Sequence, residues 1–279
     1  MQNEKIFLYE GNKDVFLDVY ICDQSPEYLI KDRPLILICP GGGYHHCSPR
    51  ESEPIARAYM AEGYNTAILY YSVKNNTDCL YDYENDISKP HYEVAKSICI
   101  IRDNAEKWHV NPDKIAVIGF SAGGHLAGCA SILWDDEKLL KVLNCPEGYN
   151  RPNATILCYP VITSGENAHR GSFVNLLGDN PTKENLLRYS LEKQIKAGMI
   201  PTFVFHTAND GTVPVENSAC LITALAKAST PFEAHILPDG AHGMSLANRE
   251  VRAIPEKYNM RWHRWSKEWL KTIFYPEEV

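Results

Sequence analysis

The stretch KIAVIGFSAGGHLAGCA, residues 114–130, decides how this chain is read. Ile115–Ile118 is a continuous apolar run, the mark of a strand buried on both faces of a sheet. From Leu126 to Leu133 the composition and spacing are helical. Between them lies Gly119-Phe120-Ser121-Ala122-Gly123-Gly124. A serine on so tight a strand-to-helix turn is presented as a nucleophile. Side chains at 119 and 123 would collide with neighbouring backbone, so both positions are small. The helix N-terminus sets backbone N–H groups beside the serine. A phosphate loop would need G-x-x-x-x-G-K, and no lysine follows Ser121.

Working outward, the same alternation of strand and helix recurs. Ile6–Tyr9 and Val15–Ile21 read as an antiparallel pair turning at Gly11-Asn12. Leu35–Cys39, Thr66–Tyr71, Thr155–Cys158, Thr202–Phe205 and Glu233–Leu237 read as further strands. Helical spacing covers a segment around Ile55 that ends at Gly63, then Val94–Trp108 and Ser218–Ala228, with Asn111-Pro112-Asp113 as a turn. This alternation predicts the α/β class: a mostly parallel eight-stranded sheet with helices on both faces. One domain spanning residues 1–279 is expected. Two segments break the rhythm. Asn75–Asp86 is a polar loop. Residues 163–199 form a connection far longer than usual, with a helical stretch over Thr182–Ile195, and are expected to be an inserted lid over the carboxyl ends of the strands.

A serine nucleophile needs an oxyanion hole, a base and a group to orient the base. Pro40-Gly41-Gly42-Gly43-Tyr44 directly follows the strand Leu35–Cys39. Its glycines let main chain approach a substrate, so Gly42, Gly43 and Tyr44, with Ala122, are the candidate oxyanion and substrate-binding residues. The dinucleotide fingerprint fails here, because the glycines are contiguous and none follows three residues after Gly43. Asp210, in the turn after the strand Thr202–Phe205, is the candidate orienting acid. His242, flanked by small residues after the strand Glu233–Leu237, is the candidate base. Asp239 could take the acid role instead, but it precedes His242 by only three residues and belongs to the same loop. His206 and His235 lie at or within strands and read as packing residues.

Composition narrows the remaining classes. Apolar residues make up 44% of the 279 residues and charged residues 23%, which excludes a disordered chain or a coiled coil. The net charge of −7, with no basic block, argues against nucleic acid and anionic membranes as partners. No apolar run nears the ~18 residues of a membrane span. The polar N-terminus MQNEKIFLYE lacks the pattern of a secretion signal. Nine cysteines, an odd number with no C-x-x-C, point to free thiols and a cytoplasmic location. His45, His46 and Cys47 are conceivable zinc ligands, but adjacent residues rarely converge on one ion without distant partners, so no metal is expected. Arg261–Phe274 aligns Trp262, Trp265, Trp269 and Ile273 on one helical face. That face packs on its own domain or, alternatively, on a second copy as a homodimer.

These motifs together resemble the α/β-hydrolase superfamily. The narrower resemblance is to its acetyl esterase, acetyl-xylan esterase or sugar hydrolase branch. PGGGYH is similar to that branch's oxyanion loop, GFSAGGHLA to its elbow, NDGTVPVENS to its acid loop and GAHGMSL to its histidine loop. LGDNPTKENLLRYSLEK, residues 177–193, is similar to its cap. The resemblance implies Ser121 as nucleophile, His242 as base, Asp210 as orienter, and Gly42, Gly43 and Ala122 as oxyanion donors. Pro40 departs from relatives that carry histidine before the glycines. The implied activity is a serine carboxylesterase acting on small acyl esters, acetyl groups on sugars above all, without a cofactor. Two other readings are a peptidase of prolyl-oligopeptidase type, for whose propeller the chain has no room, and a non-catalytic binding protein on the same fold.

Overall fold

The computed structural model describes residues 1–252 and 257–278. Ten strands occur among them: β1 Gln2–Phe7, β2 Phe16–Ile21, β3 Arg33–Cys39, β4 Asn65–Tyr70, β5 Tyr81–Asp82, β6 Ile87–Ser88, β7 Val110–Phe120, β8 Ala154–Cys158, β9 Thr202–Thr207 and β10 Phe232–Leu237. Eight build one sheet in the order β1-β2-β4-β3-β7-β8-β9-β10, and β5 and β6 pair by themselves. β2 runs antiparallel to both its neighbours, and from β4 onward all neighbours are parallel. The carboxyl ends of six strands therefore share one edge. Phe16 at the start of β2 pairs with Tyr70 at the end of β4, so the β1–β2 turn lies on that edge too.

The nine helices among the described residues are α1 Glu53–Met60, α2 Lys89–Asp103, α3 Ala105–Trp108, α4 Ala122–Ile132, α5 Glu137–Leu143, α6 Arg170–Leu177, α7 Lys183–Arg188, α8 Glu216–Lys227 and α9 Arg261–Phe274. They cover both faces because the strands are apolar on both. Leu35 and Leu37 of β3 join Val94, Ile98, Leu126 and Leu221 in one buried cluster. Ile36 and Ile38, on the opposite face, join Ile55, Tyr59, Trp262 and Trp269 in another. Each such side chain contributes roughly 1.5–3 kcal/mol by leaving water. Trp262 and Trp269 of α9 are thus buried within their own chain.

Three boundaries differ from the sequence reading. β1 begins at Gln2, since backbone pairing to Ile21 carries polar residues that point to solvent. Asn111-Pro112-Asp113, expected as a turn, is an irregularity inside β7: the register with β3 shifts between Arg33 and Leu35. The helix expected over residues 94–108 begins at Lys89, helped by Pro90 in its first turn, and breaks at Asn104 before the short α3.

Residues 163–199 fold into α6, α7 and a single 3₁₀ turn, Leu191–Lys193. The helix expected over 182–195 is therefore two pieces, and α6 was not foreseen. Tertiary contacts hold both. Phe173, Leu176, Tyr189 and Leu191 enter the main core. Arg188 at the end of α7 donates two hydrogen bonds to Asp136, 2.9 Å from Nε and 2.5 Å from Nη2. The same carboxylate caps α5 by accepting from the amides of Lys138 and Leu139.

Candidate active site

Ser121 lies between β7 and α4, with its backbone at φ 55 and ψ −120. That is a strained conformation for a residue with a Cβ, and it turns the hydroxyl out of the sheet. The Ser121 amide donates to Cys158 O on β8 at 3.0 Å. A Cβ on Gly119 would stand 2.0 Å from Gly123 O, and one on Gly123 would stand 2.1 Å from Cys39 O. The glycines two residues either side of Ser121 thus have a steric cause.

Three residues from three strand ends meet at the hydroxyl. His242 Nε2 lies 2.8 Å from Ser121 Oγ, and His242 Nδ1 lies 2.7 Å from Asp210 Oδ2. With Nδ1–H donating to the carboxylate, Nε2 is bare and accepts from the serine. Asp210 Oδ1 accepts from the amides of Thr212 at 2.8 Å and Val213 at 3.0 Å. Burial pushes the Asp210 carboxyl up, but hydrogen bonds from His206 and His242, with the Thr212 amide, outweigh it and hold the carboxyl well below the usual range. His206, read from sequence as a packing residue, is wholly buried, with Nε2 3.3 Å from Asp210 Oδ2. It accepts from Ser218 Oγ through Nδ1 at 2.8 Å and donates from Nε2 to Val213 O at 3.1 Å. It is a second imidazole on the candidate acid. His169, before α6, is half-buried, and burial followed by the nearness of His242 lowers its pKa.

The glycine loop after β3 flanks the serine. Gly42 and Gly43 adopt φ +124 and +65, and a Cβ on Gly42 would strike His46 O at 2.0 Å. The amides of Gly42, Gly43 and Ala122 donate to no acceptor among the described residues. Tyr44 is placed differently from a substrate contact. Its side chain is 1% exposed, and its hydroxyl lies 2.8 Å from His125 Nδ1, so only its main chain faces the site. His125 Nε2 lies 2.8 Å from Tyr189 O, a pure acceptor. Nε2 therefore carries the proton, and Tyr44 donates to Nδ1. Asn175 of α6 adds a hydrogen bond to Gly43 O at 2.8 Å. The 163–199 segment thus braces the glycine loop twice. At Pro40, the carbonyl accepts from Tyr71 Oη.

A buried carboxylate binds the loop from the other side. Glu51 is 2% exposed and accepts from Gly41 N at 2.9 Å and from Tyr159 Oη at 2.8 Å. Tyr159 Oη in turn accepts from Ser245 N at 2.9 Å, three residues past His242. One carboxylate therefore ties the glycine loop to the histidine loop. Glutamine cannot accept from both donors, since its NH₂ would face one of them. Glu51→Gln is expected to lower kcat on an aryl acetate about tenfold with KM changed less than twofold, and to cost about 1–3 kcal/mol of stability. Steady-state kinetics and denaturant melts check this, and an unaltered kcat contradicts it.

Buried histidines give the fold a pH dependence. Burial drives His91 down to about 3, His125 to about 4 and, with help from Lys267, His263 to about 4. All three stay neutral in the folded chain, while the unfolded chain protonates them below about pH 6.5. The unfolded state then binds more protons, so stability is full above that pH and falls as pH drops towards 4. The loss is at most about 1.4 kcal/mol per histidine per pH unit. Melting temperature is expected to fall steadily from pH 7 to pH 5, and a flat or rising profile contradicts this.

No group of three or more His, Cys, Asp or Glu side chains able to hold a metal occurs among the described residues. No helix among them is long and apolar enough to cross a membrane.

Residues 17–225 match the family model described as BD-FAE. The chain belongs to the BD-FAE family. Among curated family relatives, it is 38% identical over 221 residues to endo-1,4-beta-xylanase B of Butyrivibrio fibrisolvens, covering 78% of this chain and 33% of that protein. It is 30% identical over 244 residues to the acetylxylan esterase of Xylanibacter ruminicola, covering 86% of this chain and 45% of that protein. The chain thus spans less than half the length of these two relatives. A solved structure of an acetyl ester-xyloside bifunctional hydrolase from Caldicellulosiruptor lactoaceticus superposes with TM-score 0.80 at 32% identity, covering 98% of this chain and 97% of the other. A carboxylesterase from Lactobacillus plantarum superposes with TM-score 0.80 at 26% identity, covering 97% of each chain. The BD-FAE chain has the α/β-hydrolase fold, as expected from its elbow.

Proposed function

We propose that the chain is a serine esterase that removes short acyl groups, acetyl above all, from carbohydrates. The hydrogen-bonded series Ser121 Oγ, His242 and Asp210, at 2.8 and 2.7 Å, carries this reading. Ser121 attacks the ester carbonyl while His242 Nε2 takes its proton, and Asp210 holds the resulting imidazolium. The amides of Gly42, Gly43 and Ala122 receive the charge that develops on the carbonyl oxygen. His242 then returns the proton to the leaving alcohol, and a second round with water frees the acid.

Two observations support small acyl groups on sugars. Tyr44, His125, Val161, Ser172, Phe173 and Leu176 line a hollow of only about 120 Å³ between the glycine loop, the elbow helix and α6, which favours a short acyl group over a long one. The relatives named above include an acetylxylan esterase and an acetyl ester-xyloside hydrolase. The 163–199 segment serves in this reading as a lid that also braces the oxyanion loop. Nine free cysteines, four of them buried, favour a reducing, cytoplasmic setting.

The test compares hydrolysis of p-nitrophenyl acetate, butyrate and octanoate with acetate release from acetylated xylo-oligosaccharides. Acetate is expected to be the fastest aryl ester, and the sugar ester is expected to be cleaved. Faster octanoate hydrolysis overturns the acyl assignment, and absence of sugar deacetylation overturns the carbohydrate one.

A further inference from the structure

A cavity opens on the edge that carries Ser121. Its volume is about 450 Å³, within the range of ligand sites, and it lies between the β1–β2 turn, the segment after β4, the β5–β6 ladder and the start of α2. It adjoins the oxyanion loop through shared backbone: Lys74 N donates to Tyr44 O and Asn75 N to His45 O, each at 3.0 Å. Asn76 and Thr77, next in the chain, line the cavity.

Its walls are mostly polar and aromatic, with Ile87 and Val142 as the aliphatic members. Tyr9 and Tyr92 stand with ring centroids 6.4 Å apart. Asp82 accepts from Asn85 Nδ2 at 2.7 Å, which leaves Asn85 Oδ1 as an acceptor. Lys89 Nζ and the Asn12 side-chain nitrogen carry no hydrogen bond among the described residues. At the margin, the buried Glu93 accepts from Tyr9 Oη at 3.0 Å and from Ser72 N at 2.7 Å. Two carboxylates against one lysine repel a phosphate, and the hydrogen-bonding walls disfavour an acyl chain. A neutral ligand rich in hydroxyls satisfies both the donors and the acceptors, and its C–H faces lie against tyrosine rings.

We infer that this crevice is a subsite for a neutral saccharide, holding glycosyl units of an oligosaccharide whose ester lies at Ser121. The choice of oligosaccharide rests on the esterase reading above, and binding can be measured without turnover. Xylotetraose, which carries no ester, is titrated into the whole protein and followed by amide chemical shifts. Shifts are expected at residues 12, 76, 85, 89 and 92. The double variant Asn85→Ala/Lys89→Ala is expected to weaken binding at least fivefold. It is expected to raise KM for acetylated xylo-oligosaccharides to match, with kcat and p-nitrophenyl acetate hydrolysis unchanged. Shifts confined to the surroundings of Ser121, or a double variant that binds as tightly as wild type, overturn the subsite. If sugar acetate is released but KM does not move in the variant, the subsite falls and the esterase stands. If crevice shifts occur without sugar deacetylation, saccharide binding in the crevice stands, and its link to an ester at Ser121 falls together with the carbohydrate esterase.

Discussion

Replacing Ser121 by alanine is expected to cut kcat on p-nitrophenyl acetate by on the order of 10⁴–10⁶-fold, with KM within about threefold of wild type. In the proposed mechanism the hydroxyl held 2.8 Å from His242 is the atom that forms the acyl-enzyme. Without it the base can only activate water, and water is neither positioned nor covalently committed. What survives comes from the oxyanion donors and substrate binding, which the substitution leaves in place. Folding is expected to be nearly unaffected, because alanine meets the same backbone strain at φ 55 as serine does. Melting temperatures should agree within a few degrees. Residual activity above about one percent of wild type means that another nucleophile does the chemistry.

Asp210→Asn is expected to lower kcat by about 10³–10⁴-fold, and the local geometry says why. Oδ1 of Asp210 accepts from the amides of Thr212 and Val213. An asparagine must keep its oxygen there, because its NH₂ would face those two donors. Its NH₂ then points at His242 Nδ1, where the carboxylate oxygen accepted at 2.7 Å. The imidazole answers by moving its proton to Nε2, the nitrogen that should accept from Ser121. His206 Nε2, 3.3 Å from the same oxygen, meets the same conflict. Since its partners hold the Asp210 carboxyl well below its usual range, the group stays ionised across the working pH range of an esterase. The variant's deficit is therefore expected at every pH from 6 to 9, measured as kcat/KM. A deficit that disappears anywhere in that range refutes a tautomer-setting role for Asp210.

The parts of this molecule that could be read in advance are those whose causes are local. Runs such as Leu35–Cys39 are apolar without interruption because both faces are covered, and they fell within strands. Ser121 stood out because neighbouring backbone admits no side chain at 119 or 123. Glu51, Tyr159 and His206 carry no such local mark. Glu51 meets Tyr159 only because β3 and β8 flank β7, so that two segments 108 residues apart converge. Nothing near Glu51 in the chain distinguishes it from a solvated acid. The short α6 was missed for a related reason: Phe173 and Leu176 hold it through tertiary packing, and two helical turns show little periodicity. Tyr44 sits beside the glycines it was grouped with, but its ring turns inward to His125, a partner 81 residues away.

The order of the strands gives the sheet a further meaning. β3, β7 and β8 pair side by side near the middle of the sheet and place the glycine loop and Ser121. Asp210 follows β9, and His242 follows β10, which closes the sheet at its far edge. Without the loop that follows β10, Ser121 would have no imidazole beside it. With His242 as the proposed base, hydrolytic activity is expected to require β10, so that its recovery after dilution from denaturant reports completion of the sheet out to its far edge.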